Sequence, residues 1–333
     1  MATLEDEVDA IAADTRFSGV VRVDRDGHVE LAKAYGLAHR GYEIPNAVDT
    51  QFGIASGAKS FTALTVVRLI EDGLLELSTS ARSFLGRDLP LVDDDVTIEH
   101  LLSHRSGIGD YLDEDVELDP NGYAMTVPVH ELASTEDYVV VLDGHPRKFA
   151  AGERFAYCNS GYVLLALIAE RASGVPFHEL VDRHVCEPAG MHDTGFLRSD
   201  ELPGRAAVGY VTVDGVARTN VLHLPVRGSG DGGIYSTAAD IASFWSALFA
   251  GRIVSTEWVR EVVRPRSDLP SKPLRYGLGF WLDATAERVF LEGHDAGVSF
   301  RSVHDRHAGT THTVISNTSD GAWPVARFLN ERI

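Results

Sequence analysis

The sequence predicts an α/β (α+β) fold in which an antiparallel sheet flanked by helices is assembled from both chain ends, beside a mostly helical domain from the middle. Three observations predict it. Short, alternating β-rich runs lie near the N-terminus and recur in the C-terminal part of the chain. Apolar segments with helical period occupy the stretch between them. Strands at both ends with helices in the middle imply a discontinuous layout, with residues 1–55 and 275–333 in one domain and 56–274 in the other.

The elements follow in order. Residues 3–14 read as an amphipathic helix with Leu4, Val8, Ile11 and Ala12 on one face. Residues 18–23 and 28–35 read as strands of a hairpin turning at Asp26-Gly27. Residues 59–71 carry Phe61, Leu64, Val67 and Ile70 at helical spacing and stop at Asp72-Gly73. Thr97 is a helix cap with Glu99 in the first turn, and 161–173 form an apolar helix ending at Gly174. The 236–240 segment caps another helix running to about Leu248. The runs YGLGFWLD, RVFLE, VSFRSVHD and THTVISN are strands, and 322–332 close the chain as a helix.

Composition excludes several functions. Among 333 residues, 49 acids against 30 bases give a net charge of −19, without the basic footprint that phosphate backbones require. No apolar run approaches the roughly 20 residues that span a bilayer. The acidic start MATLEDEVDAIAADTRF is unlike a signal peptide. The expectation is a soluble, cytoplasmic protein with no nucleic-acid or membrane partner, its oligomeric state open. Cys158 and Cys186 are expected to be reduced, Cys158 as a small buried filler. The fourteen histidines are scattered. His100 and His104 could share a helix face, but they lack the further ligands that a metal site needs.

Four lysines (Lys33, Lys59, Lys148, Lys272) stand among twenty-six arginines, so each retained lysine is a candidate for work that needs a neutral amine, which arginine cannot supply. Lys59 follows Ser56 by three residues at the start of an apolar helix, which puts hydroxyl and amine on one face. A serine hydroxyl needs such a neighbour to take its proton. Tyr157 and Asn159 precede another apolar helix; a tyrosine whose pKa is lowered by an ammonium can relay a proton, and an asparagine both donates and accepts. The bland alternative is a tyrosine packed on the helix start with Asn159 as the cap. Residues 292–297, Glu-Gly-His-Asp-Ala-Gly, lie between two strands, where an edge amide from Gly297 and the His294 side chain could face a developing oxyanion. The Gly228–Gly233 run lacks a phosphate-loop ending and reads as a tight loop. Ser103, His104 and Asp110 lack a nucleophile elbow and read as framework.

Together, Ser56-x-x-Lys59, Tyr157-x-Asn159 and the 294–297 box resemble the serine β-lactamase and penicillin-binding-protein superfamily, closest to its class C β-lactamase-like branch of esterases and D-amino-acid peptidases. The segments FGIASGAKSFTALTVVRLIEDGLLEL, VTIEHLLSHRSGI, AGERFAYCNSGYVLLALIAERASG, EPAGMHDTGF and GGIYSTAADIASF resemble its framework in order, from about Phe17 to Asn317. The resemblance implies Ser56 as acylated nucleophile, Lys59 and Tyr157 as proton-transfer groups, and Asn159 as a substrate-binding residue. It also implies an oxyanion hole from the Ser56 and Gly297 amides, and no metal or organic cofactor. The third box departs from Lys-Thr-Gly: His294 replaces lysine, Asp295 follows it, and Ala296 stands in place of glycine. That weakens attraction for an anionic lactam and leaves the register of the amide donor open. Arg301 could restore a carboxylate contact. The expected function is hydrolysis of small carboxylic esters or amides through an acyl-enzyme. A D-amino-acid amidase or peptidase, a weak β-lactamase, and a non-catalytic acyl sensor are the alternatives.

Overall fold

The computed structural model describes residues 2–114, 123–269, 273–285 and 287–333. Lys272 and part of the 110–140 loop lie outside the described residues. Helix α1 (Leu4–Thr15) starts with a capping box in which Thr3 and Asp6 exchange backbone-to-side-chain hydrogen bonds. Strands β1 (Gly19–Arg25) and β2 (His28–Tyr35) turn at Asp26-Gly27, both with positive φ, as a tight hairpin requires. After the middle of the chain come β3 (Ser267–Asp268), β4 (Leu274–Tyr276), β5 (Trp281–Asp283), β6 (Arg288–Asp295), β7 (Val298–Asp305) and β8 (Thr310–Ser316).

These strands form one antiparallel sheet in the order β2-β1-β8-β7-β6-β5-β4-β3. The two chain ends meet near one edge of the sheet, where β1, second in the order, pairs with β8 in the register Val21↔Val314. Alternation along each strand separates two cores. On one face Val21, Val23 and Val314 pack with Val8 and Ala12 of α1 and with Val325 and Leu329 of the last helix (Ala322–Arg332). On the other, Val20, Leu291, Phe300 and Ile315 join the larger core.

That larger core holds α2 (Ala58–Glu71) and α4 (Asn159–Ser173), with the short α3 (Ile98–Leu102) against α4. Helix α2 is buried from Ala58 to Val67 on every side, as is α4 from Asn159 to Ala169, which is the signature of helices enclosed by the rest of the molecule. Helix α4 ends on Gly174 in the left-handed conformation. The helix over residues 238–249 is capped by Thr237, whose hydroxyl accepts the Asp240 amide. Among the described residues, no helix is long and apolar enough to cross a membrane. Both cysteines are buried and unpaired. Helix α3 stops before His104, so His100 and His104 do not share its face: His100 completes the Thr97 cap, whereas the His104 ring accepts the Cys158 amide.

Candidate active site

Ser56 sits in a single 3₁₀ turn, Ala55–Gly57, between Phe52–Gly53 and α2. Ala55 holds a left-handed φ of 44°, a strained conformation for alanine, and it turns the chain sharply where the hydroxyl is presented. Lys59 follows in the first turn of α2 and is 2% exposed. Its Nζ donates to Ser56 Oγ at 2.9 Å, Asn159 Oδ1 at 2.8 Å and the Asp231 carbonyl at 2.8 Å. It also lies 4.9 Å from the centre of the Tyr157 ring. Burial pushes the lysine pKa down from its ordinary value, against the attraction of Asp231, Glu114, Asp110 and Asp295.

Ser56, Lys59, Tyr157 and Asn159 are therefore brought together. Tyr157 differs from expectation in one respect: burial pushes its pKa well up, with Glu114 adding to the effect, and the hydrogen bond with Ser56 only partly opposes it. It is a protonated phenol in the resting site. Its ring stacks on Trp281 and leans on His104, with centroids 5.9 and 4.4 Å apart.

Asn159 is the first residue of α4 and does not cap it. The N-cap position is Cys158, which makes no side-chain cap. Asp110 supplies the missing acceptor from a distant loop, taking the Asn159 and Ser160 amides at 2.8 and 2.9 Å. The Asn159 amide group donates to the Leu112 carbonyl at 2.8 Å and to Glu114 at 3.3 Å, so its Oδ1 is aimed at Lys59.

The third box is rearranged relative to expectation. Gly293 and Asp295 project to the face of β6 that meets Ser56, and a Cβ on Gly293 would collide with the Ile54 carbonyl and crowd the Ser56 amide. His294 projects to the opposite, exposed face, 3.6 Å from Asp320 and edge-on to Trp323. Its side chain is remote from Ser56. Arg301 shares that far face, paired with Glu292 at 2.9 Å, and does not reach the site. The Gly297 amide donates to Ser319 Oγ at 2.9 Å and the Ala296 amide to Asp295 Oδ1 at 2.8 Å, so neither is directed at Ser56.

The hairpin closes on Asp295↔Val298 with a two-residue turn, and ladder pairs alternate between bonded and non-bonded. The next pair, His294↔Ser299, is non-bonded, so the His294 peptide N–H faces the edge of β6 beside the Ser56 turn. Strand β5 pairs with β6 only at Val289 and Phe290 and leaves that edge uncovered by strand.

Sequence reasoning missed Tyr111, read Asp231 only as part of a tight loop, and read Asp295 only as a departure in the third box and a possible amide donor. Asp231 lies within the glycine-rich loop, its carbonyl on Lys59 and its carboxylate taking the Tyr111 hydroxyl at 2.5 Å. An acid embedded in four glycines was the available signal.

The sequence matches the Beta-lactamase family over residues 4–328. The chain belongs to the Beta-lactamase family. It superimposes on a penicillin-binding protein from Bacillus halodurans with a TM-score of 0.92 and 34% identity, covering 98% of this chain and 100% of that one. Esterase EstB of Burkholderia gladioli is 35% identical over 63% of this chain and 54% of its own length. Penicillin-binding protein 4* of Bacillus subtilis is 28% identical over 85% of this chain and 63% of its own. The chain thus spans less than two thirds of the length of these curated Beta-lactamase family relatives.

Proposed function

We propose that the protein is a serine hydrolase that cleaves small carboxylic esters or amides through an acyl-enzyme on Ser56. The observation that carries this reading is the buried Lys59 amine 2.9 Å from the Ser56 hydroxyl, with its pKa pushed down by burial. A neutral amine at that distance can accept the hydroxyl proton as the Oγ–carbon bond forms. The Ser56 amide and the edge-facing His294 amide are the donors for the resulting oxyanion. Tyr157, which keeps its proton, returns one to the departing alkoxide or amine and is recharged through Lys59. Asn159 holds Lys59 through its Oδ1. Water then attacks the ester on Ser56 and releases the acid.

Esters are favoured over anionic lactams because no basic side chain stands at the third box on the site face, where Asp295 does. The test is release of p-nitrophenol from a short-chain p-nitrophenyl ester by the purified protein and by Ser56→Ala. The expected result is turnover that vanishes in the variant and exceeds hydrolysis of a chromogenic cephalosporin by at least tenfold. Equal background in both proteins would sink the hydrolase reading, and comparable rates on ester and cephalosporin would sink the preference.

A further inference from the structure

Asp295 has no task in the transfer of the acyl group to Ser56, yet it stands where the second half of the reaction must occur. It follows the His294 amide on β6 and shares with Gly293 the face that meets the Ser56 turn. A Cβ on Gly293 would stand 3.0 Å from the Ser56 amide nitrogen, so the strand passes close against that turn. Asp295 is only half-buried and lines a cavity of about 680 Å³ that opens beside the turn, with Ala55 in the wall. One of its oxygens, Oδ1, accepts the Ala296 amide at 2.8 Å; among the described residues the other accepts no hydrogen bond. That oxygen is available to a water in the cavity, beside the carbonyl of an acyl group on Ser56.

The other bases of the site do not meet such a water. Lys59 is absent from the cavity wall, being 2% exposed and closed in by Ser56, Asn159 and the Asp231 carbonyl. Tyr157 is absent from it as well, and burial keeps its phenol protonated. The Asp231 carboxylate already takes the Tyr111 hydroxyl at 2.5 Å. Burial raises the pKa of the tyrosines in the wall, so they hold their protons at neutral pH. The wall also offers a water a further anchor. Ser229 is 1% exposed, and its Oγ has no hydrogen-bond partner among the described residues.

We infer that Asp295 is the general base of deacylation, taking a proton from the water that attacks the ester on Ser56. The water oxygen bonds to the acyl carbon as its proton passes to the Asp295 carboxylate, and the carbonyl electron pair moves onto the oxyanion. Asp295 then returns that proton to Oγ as the bond between acyl carbon and Oγ breaks, which restores both the hydroxyl and the carboxylate. The inference rests on the acyl-enzyme reading. Burial pushes the Asp295 carboxyl up to about 7; the Ala296 amide and the Lys59 ammonium oppose this, and the charges of Asp231 and Glu114 add to it. A carboxylate of that strength is a better base than an ordinary aspartate.

The test separates the two half-reactions. p-Nitrophenyl trimethylacetate, whose hindered acyl group slows the water step, is mixed in a stopped-flow instrument with wild-type, Asp295→Asn and Ser56→Ala protein. The burst of p-nitrophenol reads acylation, and the steady release that follows reads deacylation. Asp295→Asn is expected to keep its burst and to lose about a hundredfold or more in steady release. Hydroxylamine, which attacks esters without a base, is expected to restore that release. In wild type, steady release is expected to rise with pH through about 7 and then level as the carboxylate forms, a result that needs no variant to fold. Steady release by Asp295→Asn within threefold of wild type overturns the inference, as does a wild-type rate that is flat across neutral pH. A burst slowed in proportion to the steady release marks a structural loss and overturns it too. Absence of a Ser56-dependent burst in wild type refutes the acyl-enzyme and the inference together; a Ser56-dependent burst with an unimpaired asparagine variant refutes the inference alone.

Discussion

At the scale of single residues, the site depends on which group carries a proton at rest. Lys59 is enclosed by Ser56, Asn159 and the Asp231 carbonyl. Burial disfavours its charged form, so its pKa lies below 10.5. The basic form accumulates as pH rises through that depressed value. kcat/KM for a neutral ester is therefore expected to climb with pH and level off before the ordinary lysine range; a profile rising only above 10.5 would refute Lys59 as base. Lys59→Arg keeps a cation that cannot become a base. It is expected to lose at least a thousandfold in kcat with an unchanged circular dichroism spectrum, and an active, folded arginine variant would overturn the role. Tyr157 carries the opposite lesson: a lowered pKa was expected beside an ammonium, yet burial and the nearby Glu114 push it well up, and the hydrogen bond with Ser56 only partly opposes them.

At the scale of elements, the site hangs on how α4 begins. Cys158 cannot cap it, and Asp110, nearly fifty residues earlier, takes two of its unpaired amides. Asp110→Ala is expected to cost about 1–2 kcal/mol, the usual worth of a helix cap, seen as a lower urea midpoint. It is also expected to lower kcat by displacing Asn159 from Lys59; a variant with wild-type midpoint and rate would show that water replaces the carboxylate. Asp110 was visible in the sequence only as a member of a discarded triad, because a cap supplied from another segment leaves no local spacing to read. Strand β6 shows a related limit. Its hydrophobic pattern located the strand, but a shift of one residue exchanges the two faces. The sequence could not tell that Asp295 meets the site while His294 turns away.

At the scale of the molecule, buried neutral histidines set the response to acid. His178 Nε2 donates to the Gly228 carbonyl, His312 meets Asn330, and His304 stacks between Trp245 and Phe249. Burial pushes each of the three down to about 4. Folded pKa values below the unfolded 6.5 mean that the unfolded chain binds more protons between these limits. Their contribution is complete above pH 6.5 and is lost as pH falls toward 4. Each costs up to about 2 kcal/mol at pH 5. Asp295, raised to about 7, runs the other way, losing its contribution as pH rises through 7, and burial also raises the carboxyls of Asp110, Asp182, Asp231 and Asp240. The change in unfolding free energy by urea between pH 7 and pH 5 is therefore expected to be more unfavourable in wild type than in His312→Gln, and an equal change in both would mean that His312 becomes solvated.

The sequence by itself determined the order of elements, the hairpin at Asp26-Gly27, the buried helices and the Ser56–Lys59 pair. Each of these is written in short-range periodicity or in spacing along one helix. Tertiary structure alone decided that Asp110 caps α4, that Asp231 braces Lys59, and that the His294 amide and not that of Gly297 lies at the edge beside Ser56. The physical reason is the same throughout: these groups meet across loops and sheet edges, where distance and facing are set by packing between segments far apart in the chain.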